Sequence, residues 1–219
     1  MKNMLSKKDY SLIKVEGDGN CLFNCIVQQL HLHKNTRYIL DDNYSFKFSK
    51  SKLYEDESEN LRQLTVNWLE DNLDYILPTG LTIKQDIQDT ITDFEDIDSV
   101  DEYLLDMRGY RYAGQMELYS LSNILKKNIS IFIEQDGNYY TIGMGNIYNK
   151  SDKDNIYLYH NMLEYDNDNE EEFHYNLLYP KSRGNIISKK KYNELILNNK
   201  PLTRNNSNVN TNNDNITVK

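Results

Sequence analysis

Up to residue 127, apolar residues recur at the spacing of a helical face. From Asn128 they alternate with a period of two, as in strands. The first helical stretch is Cys21-Leu22-Phe23-Asn24-Cys25-Ile26-Val27-Gln28-Gln29-Leu30, with apolar positions 22, 23, 26, 27 and 30 on one face. Asn20 supplies an N-cap, which puts Cys21 in the first turn of a buried helix. A second helix is expected over 57–77, with Leu61, Leu64, Trp68, Leu69, Leu73 and Ile76 as its stripe and Pro78 as its stop. Residues 100–107 read as a short helix with Tyr103, Leu104 and Met107 inward, and 115–127 as another. Residues 35–56 read as loop, and the acidic stretch 81–100 gives no clear element.

Strands are expected over 129–133, 139–143, 155–160 and 173–178. Asp136-Gly137-Asn138 forms the hairpin turn between the first two, and Pro180 closes the last. Residues 1–10 read as a polar arm, and 11–180 as one domain entered through the apolar Leu12-Ile13-Lys14-Val15. Within 181–200 one more helix is expected at 188–197, capped by Ser188. The Asn-, Thr- and Ser-rich end, 201–219, lacks any apolar period and reads as a disordered tail.

Composition narrows the classes of function. A net charge of -9 without a long basic run excludes a phosphate-tracking surface, so no nucleic-acid partner is expected. No stretch reaches the roughly 18 apolar residues of a membrane helix, and residues 1–10 carry no secretory pattern. The two cysteines, Cys21 and Cys25, lie four residues apart on one helical face and cannot organise a disulfide scaffold. A reducing compartment follows, cytoplasm or nucleus.

The chemistry concentrates in Gly17-Asp18-Gly19-Asn20-Cys21-Leu22-Phe23. A cysteine at a helix N-terminus faces the positive end of the helix dipole and unpaired N–H groups, which favour the reactive thiolate. Glycines let the loop approach a substrate, and loop N–H groups with that of Cys21 can form an oxyanion hole. Such a thiol needs a base. His31 and His33 follow the Cys21 helix and are badly placed, and His160 has no evident orienting neighbour. His174 has Asn176 two residues on, on the same face of a strand, where its amide can orient the imidazole. A zinc set of Cys21, Cys25, His31 and His33 has suitable residue types in an unfamiliar spacing, so no metal or cofactor is expected. Cys25 reads as a small core residue, and Glu117 as a helix-surface or supporting group.

The 17–23 motif resembles the nucleophile motif of OTU (ovarian tumour) cysteine proteases, and Phe173-His174-Tyr175-Asn176 resembles their histidine motif. Gly114-Gln115-Met116-Glu117-Leu118-Tyr119-Ser120-Leu121-Ser122 resembles the family's Glu-Leu helix, and 129–132 and 156–159 its following strands. Order and spacing agree over about residues 10 to 180. The resemblance implies an α/β (α+β) fold with a central, mostly antiparallel sheet flanked by helices. It implies hydrolysis of isopeptide bonds at the ubiquitin C-terminus without a cofactor, with Cys21 as nucleophile and His174 as general base. Asp18 would shape the oxyanion loop or serve as third triad member, and Asn176 would orient His174. Ubiquitin or polyubiquitin is the implied partner, a ubiquitin-like modifier the variant, and an inactive ubiquitin-binding adaptor the alternative function. Two departures, Tyr112-Ala113-Gly114 for a Trp-Gly-Gly-like stretch and Asn24-Cys25 for Arg followed by a small residue, bear on substrate preference and packing.

Overall fold

The computed structural model describes residues 4–15, 17–33, 38–40, 52–94, 96–109, 111–144, 155–161, 174–183 and 186–188. Among them are five α-helices: α1 (Cys21–His33), α2 (Lys52–Asp71), α3 (Ile83–Ile91), α4 (Val100–Met107) and α5 (Gln115–Leu125). The strands are β1 (Met4–Ser6), β2 (Tyr10–Ile13), β3 (Tyr38–Leu40), β4 (Ile129–Gln135), β5 (Asn138–Met144), β6 (Ile156–Asn161), β7 (His174–Pro180) and β8 (Ile186–Ser188). Six of them form one sheet in the order β1-β5-β4-β6-β7-β2. Every neighbouring pair in it is antiparallel except β4 and β6. The mixed α/β class and the mostly antiparallel sheet are as expected. The β4–β5 hairpin turns at Asp136 and Gly137, both at positive φ.

Alternation along β7 assigns its two faces. Tyr175, Leu177 and Tyr179 join the large core beneath the helices, with Leu22, Phe23 and Ile26 of α1 and Leu158 of β6. Leu178 belongs to a second core with Phe132, Tyr139 and Tyr157, against which Leu5, Tyr10 and Leu12 pack. By the period of two, His174 and Asn176 share the face of Leu178.

The expected N-terminal arm is not an arm, because its residues enter the sheet at both edges. Met4–Ser6 pairs with β5 and Tyr10–Ile13 with β7. In a flat sheet those two edges would lie about 24 Å apart, whereas the four steps of chain from Ser6 to Tyr10 reach at most about 14 Å. The sheet therefore curls, and the segment between the edges closes it around the second core. Lys7 pairs with Glu134 at 2.5 Å, and the Tyr10 ring meets Tyr157 edge-on at 5.6 Å.

Helix α2 runs from 52 to 71 rather than 57 to 77. Its end is set by Asn72, whose side-chain amide donates to the Trp68 carbonyl at 2.7 Å, while its backbone N–H turns to Leu69 O. Pro78 lies beyond, in a turn closed by the Ile76–Thr82 bridge. The expected stripe is only partly inward: Leu61 and Leu69 are buried, but Leu64 is 39% and Ile76 67% exposed. The buried arc is completed by Ser58, Arg62 and Thr65. In 81–100 the structure adds α3, opened by a reciprocal Thr82–Gln85 capping box. Ser188 ends strand β8, paired with β3, and 189–219 lie outside the described residues, so the expected last helix and tail do too. No described helix is long and apolar enough to cross a membrane.

Candidate active site

Helix α1 starts at Cys21, as expected, out of a tightly bonded loop. Asp18 Oδ1 accepts the Asn20 N–H at 2.9 Å, and both its oxygens accept from Asn24 Nδ2 at 3.1 Å. Gly19 has φ +80°, a region that disfavours side chains. Asp18 thus shapes the loop, and Asn24, at the position of the second departure from the family pattern, is its partner. Asn20 does not act as the expected side-chain cap. Its Oδ1 instead accepts from Arg62 Nε at 2.7 Å. Among the described residues no acceptor is recorded for the N–H groups of Gly19 and Cys21.

Cys21 is 2% exposed, and burial pushes its thiol above the ordinary range. Backbone hydrogen bonding from Tyr175 and Leu22, and more weakly the charge of Arg62, act in the opposite sense and lose. The helix terminus favours thiolate, but desolvation outweighs it in the substrate-free protein. The sign is definite: a raised thiol value keeps the proton on sulfur through neutral pH. Alkylation of Cys21 by iodoacetamide in the free protein is therefore expected to keep accelerating as pH rises through and beyond the ordinary thiol range. A rate already level at pH 7, followed by peptide mass analysis, would contradict this.

His174 opens β7, next to Tyr175, whose backbone meets Cys21. Its Nε2 lies 2.9 Å from the Val15 carbonyl. A carbonyl only accepts, so Nε2 carries the proton and Nδ1 of the neutral ring holds a lone pair. A Cβ placed on Gly17 would sit 3.6 Å from Nδ1 and 3.8 Å from Cε1, so this edge of the ring faces the loop that leads to Cys21. Among the described residues no hydrogen bond joins the thiol and the imidazole.

Asn176 shares the His174 face but does not bond to the ring. Its Oδ1 accepts the Val15 N–H at 3.0 Å. Val15 thus receives both residues, its N–H held by Asn176 and its carbonyl by His174. Asn176 fixes the acceptor that fixes the imidazole, an arrangement a residue further removed than expected. Cys25 behaves as a core residue: fully buried, with Sγ donating to Tyr175 O at 3.5 Å. His31 pairs with Glu57 at 2.5 Å, and His160 packs on the Tyr175 ring at 5.0 Å. No group of three or more metal-ligating side chains assembles among the described residues.

One further residue went unread in the sequence. Arg62 of α2 is fully buried and donates to Gly19 O at 2.5 Å, Met107 O at 2.9 Å and Arg111 O at 3.0 Å, besides Asn20. Its guanidinium also lies 4.6 Å from the Phe23 ring centroid. The available signal was a charge on the inward arc 58, 62, 65, 69 of α2. Glu117, expected as a helix-surface or supporting group, is fully buried and takes the supporting place. It accepts from Gly114 N–H at 2.7 Å and Tyr103 OH at 2.8 Å, and burial raises its carboxyl value. Phe173, the first residue of the histidine motif, lies outside the described residues.

The chain matches the sequence profile of the OTU-like cysteine proteases over residues 16–175. Among solved structures it resembles the Hazara virus OTU bound to ubiquitin, at 15% identity and TM-score 0.46, over 82% of this chain and 87% of that one. It also resembles the OTU domain protease of Dera Ghazi Khan virus, at 16% identity and TM-score 0.49, over 81% and 86%. A third is the OTU deubiquitinase of Wolbachia pipientis wMel bound to ubiquitin, at 14% identity and TM-score 0.43, over 80% and 98%. No curated protein matches the sequence. The match at 16–175 spans most of the chain and contains Cys21 and His174, and on it the chain belongs to the OTU-like cysteine protease family.

Proposed function

We propose that the protein is a deubiquitinase in which Cys21 attacks the carbonyl carbon at the ubiquitin C-terminus and His174 moves the proton. The observation that carries this reading is the hydrogen bond between His174 Nε2 and Val15 O. Val15 O holds the proton on Nε2, and the basic Nδ1 edge faces the Gly17 loop that delivers Cys21. Nδ1 takes the thiol proton as sulfur bonds to the carbonyl carbon, and the oxyanion is received by N–H groups at the start of α1. His174 then gives the proton to the departing amine. Water, deprotonated by the same Nδ1, hydrolyses the thioester and restores the thiol. The absence of a thiol–imidazole bond in the free state is compatible with this, since such bonds often close only with substrate in place.

The choice of ubiquitin rests on the likeness of the two motifs to those of the family. Two of the similar structures hold ubiquitin, a property of those proteins that also suggests the probe. The reading is tested by following cleavage of isopeptide-linked diubiquitin and of a fluorogenic amide at the ubiquitin C-terminus. Turnover of both substrates is expected. His174→Ala is expected to lose about 10⁴-fold or more in kcat, because nucleophile and base act as a unit. Tight ubiquitin binding without any turnover would instead favour the adaptor reading.

A further inference from the structure

The loop before Cys21 is held by a group three elements away in the fold. The Gly19–Asn20 peptide is gripped from both sides: its carbonyl by Arg62, its N–H by Asp18 Oδ1. Asp18 is itself held by Asn24 of α1, and the Asn20 side chain by Arg62 Nε. Taking Asn20 Oδ1 for the guanidinium keeps it from capping the first turn of α1, whose N–H groups then stay available. Arg62 is in turn fixed at its far side by two carbonyls, Met107 O at the end of α4 and Arg111 O beyond it, and by the Phe23 ring beneath. A planar fork of five donors can hold all these acceptors together; an ammonium on a flexible stem cannot.

We infer that Arg62 is a positioning residue for acyl transfer, setting the Gly19–Asn20 peptide so that the neighbouring Gly19 and Cys21 N–H groups receive the oxyanion. The inference rests on the cysteine-protease reading above. It separates Arg62 from the nucleophile and base: the guanidinium fork acts on the tetrahedral stage, through the loop, while the positive charge, which bears only weakly on the Cys21 thiol, is a separate effect that a lysine would keep.

The test compares wild type with Arg62→Lys, which keeps the charge and loses the fork. It measures kcat and KM on the ubiquitin fluorogenic amide and the rate of Cys21 alkylation by iodoacetamide, a displacement that forms no oxyanion. The expected result is a fall of about 10²-fold in kcat, the scale of a lost oxyanion donor. KM and the alkylation rate should stay within about threefold, because uniform binding and thiol chemistry are untouched. Equal losses in kcat and alkylation, or an unchanged kcat, would overturn the inference. If Arg62→Lys does not fold by circular dichroism, Asn20→Ala removes only the Nε link, and the same split between kcat and alkylation is expected, of about tenfold. Wild-type protein that alkylates at Cys21 yet turns over no ubiquitin substrate would overturn the deubiquitinase reading itself, a result distinct from any seen only in the variants.

Discussion

Cys21→Ala should lower kcat for ubiquitin-linked substrates by at least about 10⁴-fold, to the background of whatever the oxyanion donors and substrate binding provide alone. The substitution removes one sulfur atom from a 2% exposed site at the first position of α1. It touches neither the Asp18–Asn24 lock nor the Arg62 bonds of the loop, so ubiquitin binding should persist. Cys25→Ala is the control, because it lies one turn along, is fully buried, and bonds to Tyr175 O. Its loss should cost stability through a small cavity and leave kcat within a fewfold of wild type. Comparable losses in the two variants would mean that the effect is packing, not nucleophilicity.

Arg62→Ala should be the most destabilising single change on the helical side, by about 3–5 kcal/mol in urea unfolding. It removes a fully buried cation and strands the carbonyls of Gly19, Met107 and Arg111 and the Asn20 amide oxygen without their donor. Met107 O is buried and costs about 1–3 kcal/mol when left unmade, while the three part-buried acceptors cost less each as water reaches them. Phe23 loses the cation above its ring as well. A loss below about 1 kcal/mol would show that these acceptors are readily satisfied by water, contrary to a packed clamp.

What could be read in the sequence was what is local. The Cys21 helix was legible because its apolar period, its turn-forming loop and the thiol fall within a dozen residues. The four strands of the last third were legible because each alternates and is bounded by turn formers. β1 and β2 were not, because three or four residues are too few to show a period and become strands only through partners more than 130 positions away. α3 could have been found, since Thr82 and Gln85 spell a capping box. The α2 stripe was misjudged because the inward arc includes the polar Ser58, Arg62 and Thr65, of which Arg62 is met by distant backbone carbonyls and Thr65 by a carbonyl of its own helix.

The site divides in the same way. Residue types and strand period put His174 and Asn176 on one face, and that much was legible. That they meet through the backbone of Val15 was not, because a main-chain donor and acceptor carry no residue signature. The direction of the thiol shift also depended on tertiary structure. Helix terminus and free N–H groups are local and favour thiolate, but the layer of core residues closing over Cys21 comes from the whole fold and reverses the balance.

The most direct measurement is reaction of the purified protein with ubiquitin bearing a C-terminal electrophile, followed by mass analysis of the adduct. A single adduct on Cys21, absent from Cys21→Ala and slowed in His174→Ala, is the predicted result. A folded protein that forms no adduct, or one labelled at Cys25 instead, would contradict the assignment of Cys21 as the nucleophile of a deubiquitinase.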